Sequence, residues 1–204
     1  MKMKTQFSIS AFSLFTISLL FPLLVELHVP LKHGEVVVLI ENGQAVWLLF
    51  CAIFTAWYIK SMPHEEKVFW LWAMVWWIVL LGRSTSWGRN YFPDEPRLIF
   101  RAISVLLISI LILPVIFSNI LRKKIIIKFR SVRLPVWMSL LVVTTYLIAD
   151  SVEHHRFIAP LFLHDTRYTD LIEELYETIF MLGLFEVSLD VMKDEKKRLL
   201  NSST

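Results

Sequence analysis

From Leu98 to Leu121 the chain reads LIFRAISVLLISILILPVIFSNIL, and from Arg122 to Arg133 it reads RKKIIIKFRSVR. The first stretch is long enough to cross the hydrocarbon of a bilayer, which takes about 20 largely apolar residues in a helix. The second, a loop on this reading, carries six basic residues directly after it. Basic residues close to the end of a span stay on the cytoplasmic side. These two stretches therefore predict a membrane helix with an assigned direction, and the rest of the chain is read outward from them.

Five further apolar runs flank this one: Phe7–Leu27, Gly43–Ile59, Val68–Gly82, Leu134–Ala149 and Leu171–Val191. The third run of the chain is short, and the sixth carries acids in its first turns. Six spans with an inside amino terminus put residues 1–6, 60–67, 122–133 and 193–204 in the cytoplasm. These pieces carry two, two, six and four of the 21 Lys and Arg. Twelve of the 18 Asp and Glu fall on the opposite side or at the outer ends of spans. The net charge of +3 thus follows membrane orientation, and nucleic acid is not an expected partner. Composition agrees: 56% of the 204 residues are hydrophobic and only 19% charged, less than the roughly 25% of soluble domains.

The expected fold is all-α, a single transmembrane domain over residues 1–204. It is a polytopic bundle of about six membrane helices with both termini cytoplasmic. The start, Met1-Lys2-Met3-Lys4 before an apolar run, has the charge of a secretory signal. The run ends Leu24-Val25-Glu26-Leu27-His28, without the small residues a cleavage site needs, so a retained first helix is expected. The lone Cys51 excludes an internal disulfide and a cysteine zinc cluster. Haem is not expected, because His28, His33, His64, His154, His155 and His164 sit near span ends or in loops. Trp70, Trp72, Trp76 and Trp77 read as an interfacial belt and lipid-facing bulk, with a stacking platform for an aromatic ligand as the alternative.

Ionisable residues near membrane depth are costly and tend to face a bundle interior or a wet cavity. Most such residues fall at the non-cytoplasmic ends. Gly82-Arg83-Ser84-Thr85-Ser86-Trp87-Gly88-Arg89-Asn90-Tyr91-Phe92-Pro93 follows the third span. It reads either as a plain surface loop or as a cavity-lining segment. Arg83 and Arg89 can grip carboxylates or phosphates through two parallel hydrogen bonds. Ser86, Trp87 and Arg101 join them as candidate ligand-binding residues, and Arg97 precedes Arg101 at helical spacing. Glu41, at the entry to the second span, and Glu173 and Glu174 are further ligand candidates. Asp150 and His154 are four residues apart, on one face if the fifth helix continues. With Glu177 they form a candidate catalytic and metal set, an acid–base group or a divalent-metal site. Asp170 with Glu173 has the form of a capping box, which accounts for the first acids of the sixth span but not for Glu177. On the cytoplasmic side, Glu186 and Asp190 are expected to pair with terminal lysines.

The Glu41-Asn42-Gly43 entry, the Gly82-Arg83…Ser86-Trp87-Gly88-Arg89 segment and the Glu173-Glu174…Glu177 helix resemble an uncharacterised group of bacterial multi-pass inner-membrane proteins. That group shares a Ser-Trp-Gly loop motif. In it an acid often precedes Ser-Trp-Gly, where this chain has Ser84 and Thr85. The resemblance implies a bacterial inner membrane and no known activity.

Three functions fit these residues. The first is binding or sensing of a lipid head group, a small polar ligand or a partner protein at the outer face. The second is a membrane-embedded hydrolase or head-group transferase using Asp150, His154 and Glu177, with or without a metal. The third is a proton- or cation-coupled transporter. The basic segment Arg122–Arg133 is a candidate contact for anionic lipid.

Overall fold

The computed structural model describes residues 2–89, 91–92 and 94–202, with the side chains of all of these but Lys2, Met3, His33, His64, Glu65 and Ser202. The described residues form seven α-helices: α1 (Ile9–Glu26), α2 (Glu35–Lys60), α3 (His64–Ser84), α4 (Arg97–Phe117), α5 (Asn119–Ser131), α6 (Val136–Glu153) and α7 (Thr169–Ser202). Two three-residue strands, β1 (Lys2–Lys4) and β2 (Arg133–Pro135), pair in parallel. Five helices are long and apolar enough to cross a membrane: α1, α2, the Glu66–Ser84 part of α3, α4 and α6. Their leucines, isoleucines and phenylalanines are exposed along much of their length. Such surface needs hydrocarbon rather than water around it. α7 is not among the five, because Asp170, Glu173, Glu174, Glu177, Glu186 and Asp190 interrupt its apolar residues.

The chain divides into two compact units, Met1–Ile40 with Ser131–Thr204, and Glu41–Arg130. The first contains α1, α6 and α7. α6 packs tightly on α7 at Gly183: a Cβ there would stand 2.7 Å from Val142 Cγ2 and 3.4 Å from Met138 Sδ. Small residues allow this kind of backbone approach between packed helices. Tyr176 is fully buried and its hydroxyl donates to the Ser18 carbonyl at 3.1 Å. Its ring meets Phe21 and Phe162 edge-on at 5.2 and 5.6 Å. One end of this unit joins β1, β2 and α7, with Lys4 Nζ 3.5 Å from Asp190. The other end joins Tyr168, whose hydroxyl donates to the Val29 carbonyl at 3.1 Å, and His164, 2.8 Å from Glu26. Asp190 therefore pairs with the amino-terminal Lys4, and the Ser10 hydroxyl donates to Glu186 at 3.2 Å.

Two local expectations are corrected here. Asp170 does not cap α7, because a 3-10 turn over Thr166–Tyr168 leads into it and starts the helical path earlier. That turn is capped by Asp165, whose carboxylate accepts from the Arg167 backbone N–H at 2.9 Å. The basic segment after α4 is not a loop but a helix, α5. Ser118 adopts extended ψ and its hydroxyl accepts from the Leu121 N–H at 3.2 Å, so α4 ends and a new helix begins.

In the second unit α3 lies beside α4, and the Trp72 indole N–H donates to the Leu111 carbonyl at 3.0 Å. Of the four clustered tryptophans only Trp76 is exposed, while Trp70 and Trp77 are buried. The cluster is thus in large part packing rather than a lipid-facing belt. α5 turns two of its lysines inward onto α3: Lys124 and Lys128 reach the two carboxylate oxygens of Glu66 at 2.7 and 3.0 Å. Lys128 is buried and lies 5.5 Å from the Phe69 ring centre and 5.9 Å from that of Trp70.

Candidate functional site

The segment after α3 is shaped by its backbone. Ser86, Trp87 and Gly88 have φ of 48°, 60° and 98°, three left-handed residues in succession. For Ser and Trp this conformation costs about 1–2 kcal/mol each. It persists because both neighbours hold it. The Trp87 ring lies on α3 at Gly82, where a Cβ would come within 2.6 Å of two ring carbons. Gly88 faces Phe100 of α4, whose ring is 3.7 Å from where a Cβ would be. The Gly88 N–H donates to the Thr85 carbonyl at 2.9 Å, and the Tyr91 hydroxyl donates to Asn42 at 2.8 Å.

This tight reversal brings the end of α3 against the start of α4. Pro96 precedes α4, and Arg97, Phe100, Arg101 and Ser104 follow at positions i, i+3, i+4 and i+7, one face of the helix. Between them and the turn lies an open cavity of about 400 Å³, lined by Arg83, Ser86, Trp87, Arg89, Arg97, Phe100, Arg101 and Ser104. Four guanidinium groups thus border one space, and among the described residues no Asp or Glu lines it. Arg89, Arg97 and Arg101 make no ion pair among the described residues, and all four arginines are exposed. The amino-terminal end of α4 adds its own positive potential. The arrangement offers what an anion takes: positive charge, forked N–H donors and two hydroxyls.

Of the ligand candidates from the sequence, Arg83, Ser86, Trp87, Arg89 and Arg101 are brought together at this cavity. Asn90 and Pro93 of the same segment lie outside the described residues. Phe100 and Ser104 were hidden in the apolar run, where only the helical spacing from Arg97 and Arg101 marks them. Glu41 does not line the cavity. It lies within α2, which starts six residues before it at Glu35. Glu173 and Glu174 are half-buried on α7, in the other unit.

A second group forms at the end of α6. Asp150, Glu153 and His154 present ligand atoms within 4.8 Å of one another. Glu177, expected in this set, is not part of it, and Glu153 takes the third place. Glu177 is buried on α7 at 8% exposure. His154 is the residue at which α6 ends, and its Nδ1 stands 3.6 Å from Asp150 and 3.5 Å from Glu153. Both oxygens of Asp150 already face Arg156, at 2.9 and 3.3 Å. A metal here would have to displace that guanidinium.

No protein-family model matches the chain, and no curated protein or solved structure matches it.

Proposed function

We propose that this chain is a multi-pass protein of a bacterial inner membrane, crossing six times with both termini cytoplasmic. On this reading it binds an anionic head group or small anionic ligand at its non-cytoplasmic face. The observation that carries it is the cavity bordered by Arg83, Arg89, Arg97 and Arg101 without a lining carboxylate among the described residues. Arg89, Arg97 and Arg101 make no ion pair among the described residues, and a bound anion supplies their counter-charge.

The topology has independent support. Four apolar helices separate β1 from β2, and an even number of crossings is what returns the chain to the side where these strands pair. Lys4 meets Asp190 at one end of the first unit, and Val29 meets Tyr168 at the other, so α7 runs the same course as α1. Its 34 residues extend about 50 Å at 1.5 Å per residue, more than the hydrocarbon requires. Charge agrees: α5, rich in Lys and Arg, then lies at the cytoplasmic surface, with Arg122, Lys123 and Arg130 exposed toward anionic lipid.

The test is binding of anionic lipid to the purified, detergent-solubilised protein by native mass spectrometry, with Arg89→Ala/Arg101→Ala alongside. Retained adducts on the wild type that fall at least about tenfold in the variant support the site. Equal adducts on both would remove it.

The Asp150, Glu153 and His154 group favours a second reading, a metal-assisted hydrolase or transferase at the same face. Its test is metal content of the purified protein and its His154→Ala variant. Near-stoichiometric zinc, manganese or iron lost on substitution would raise this reading. Equal, trace metal in both would end it.

A further inference from the structure

We infer that the arginine cavity takes a phosphate group with two or more negative charges, a phosphomonoester or a diphosphate, carried on a membrane lipid. This rests on the reading of the cavity as an anion site.

Charge comes first. Four arginines border the cavity, and three of them, Arg89, Arg97 and Arg101, make no ion pair among the described residues. A phosphodiester head group brings one negative charge and leaves most of that field unbalanced. A phosphomonoester brings about −1.5 to −2 near pH 7, and a diphosphate brings more.

Shape comes second. Arg83 and Arg89 approach from the end of α3 and the following turn, and Arg97 and Arg101 from the first turns of α4. Donors arriving from two walls suit a tetrahedral group with three free oxygens better than a planar carboxylate. Ser86 and Ser104 add hydroxyls at the same cavity.

The surroundings supply the third argument. Four and eight residues beyond Ser104 along α4 stand Ile108 and Ile112, both exposed, at 39% and 47%. The Arg97–Arg101 edge of that face thus continues as exposed apolar surface down a helix apolar enough to span a membrane, while its Phe100 edge runs on into the buried Leu111. A phosphate among the arginines would have its acyl chains running along that stripe, so the lipid-borne form uses surface that a soluble phosphate leaves unused.

The experiment compares three probes on the full chain in neutral detergent micelles at fixed salt. They are phosphatidic acid, phosphatidylglycerol and inorganic pyrophosphate, each titrated against wild type and Arg89→Ala/Arg101→Ala. The expected result is phosphatidic acid binding about tenfold or more tighter than phosphatidylglycerol. Pyrophosphate should compete with it only weakly, and the preference should be lost in the variant. Equal binding of the two lipids, reduced alike in the variant, would overturn the charge requirement and leave the anion site standing. Pyrophosphate binding as tightly as phosphatidic acid would overturn the lipid source. No arginine-dependent binding of any probe would overturn both the inference and the reading beneath it. Should the alanine variant fail to fold, Arg89→Lys/Arg101→Lys keeps the charge but removes the forks. A preference for phosphatidic acid that falls in this variant supports the inference, and one that is unchanged overturns the role of forked donors.

Discussion

Trp87 lies on Gly82, five residues earlier in the chain, so closely that the smallest side chain at 82 would press to 2.6 Å of two indole carbons. That contact fixes the turn carrying Ser86 and Arg89 against α3.

Gly82→Ala is therefore expected to displace the Trp87 ring and to open the cavity. Overpacking of this kind costs typically 1–3 kcal/mol. The check has two readouts, melting temperature and affinity for phosphatidic acid, and both should fall. An unchanged melting temperature would mean that the indole is free to move aside.

Gly183 makes a comparable approach in the first unit, where a Cβ would stand 2.7 Å from Val142 Cγ2. Gly183→Ala should destabilise by about 1–3 kcal/mol, and Val142→Ala should be partly compensating in the same chain. A double-mutant cycle on thermal stability measures this. Purely additive effects would show that the two positions do not press on each other.

Lys128 is buried and held by Glu66 at 3.0 Å, with Phe69 and Trp70 beside it. Removing one partner strands the other charge, so Glu66→Ala is expected to cost more than an exposed ion pair, which is worth about 0.2–1 kcal/mol. Lys124→Ala, with the more exposed of the two lysines, should cost less than Lys128→Ala. Melting temperatures of the three single variants decide it, and equal losses for the two lysines would refute the ranking.

Arg167 holds the Asp165 carboxyl below its ordinary range, chiefly through side-chain hydrogen bonds at 2.6–3.2 Å. A carboxyl whose folded value is depressed adds stability above its unfolded value, near 3.9, and loses that contribution as pH falls through the folded one. Asp165→Asn should thus lower the melting temperature at neutral pH. The gap from wild type should narrow on acidification below about pH 4. A gap that stays constant with pH would leave only the capping hydrogen bond as its cause.

What the sequence revealed and what it hid follow from the range of the forces involved. Apolar runs and the charge bias at their ends are properties of contiguous residues, so the all-helical, membrane-spanning character was legible. Arg83, Ser86, Trp87, Arg89 and Arg101 stood out because polar residues at the edge of an apolar run are costly. Phe100 and Ser104 did not, since each is unremarkable within α4 and gains its role only from the turn opposite. The helical state of α5 was masked by three isoleucines in a row, Ile125–Ile127, which break the amphipathic period. The inward turn of Lys124 and Lys128 depends on Glu66, far away in sequence. Replacement of Glu177 by Glu153 beside Asp150 and His154 reflects where α6 stops, and helix ends are set by local caps that spacing arguments assume away.

The division of the chain also orders its biosynthesis. Glu41–Arg130 is contiguous, so every residue of that unit has been joined to the chain before any of α6 is made. α1 emerges first, yet its packing partners α6 and α7 emerge last, and Lys2–Lys4 has no strand to pair with until Arg133–Pro135 has been made. The face that α1 buries against α6 and α7 therefore stays without those partners until the intervening unit has been made. That interior face, Ala11, Ser18, Phe21 and Val25, carries one hydroxyl, which Ser18 donates within its own helix to the Phe15 carbonyl at 2.7 Å, so that face needs no partner to satisfy it.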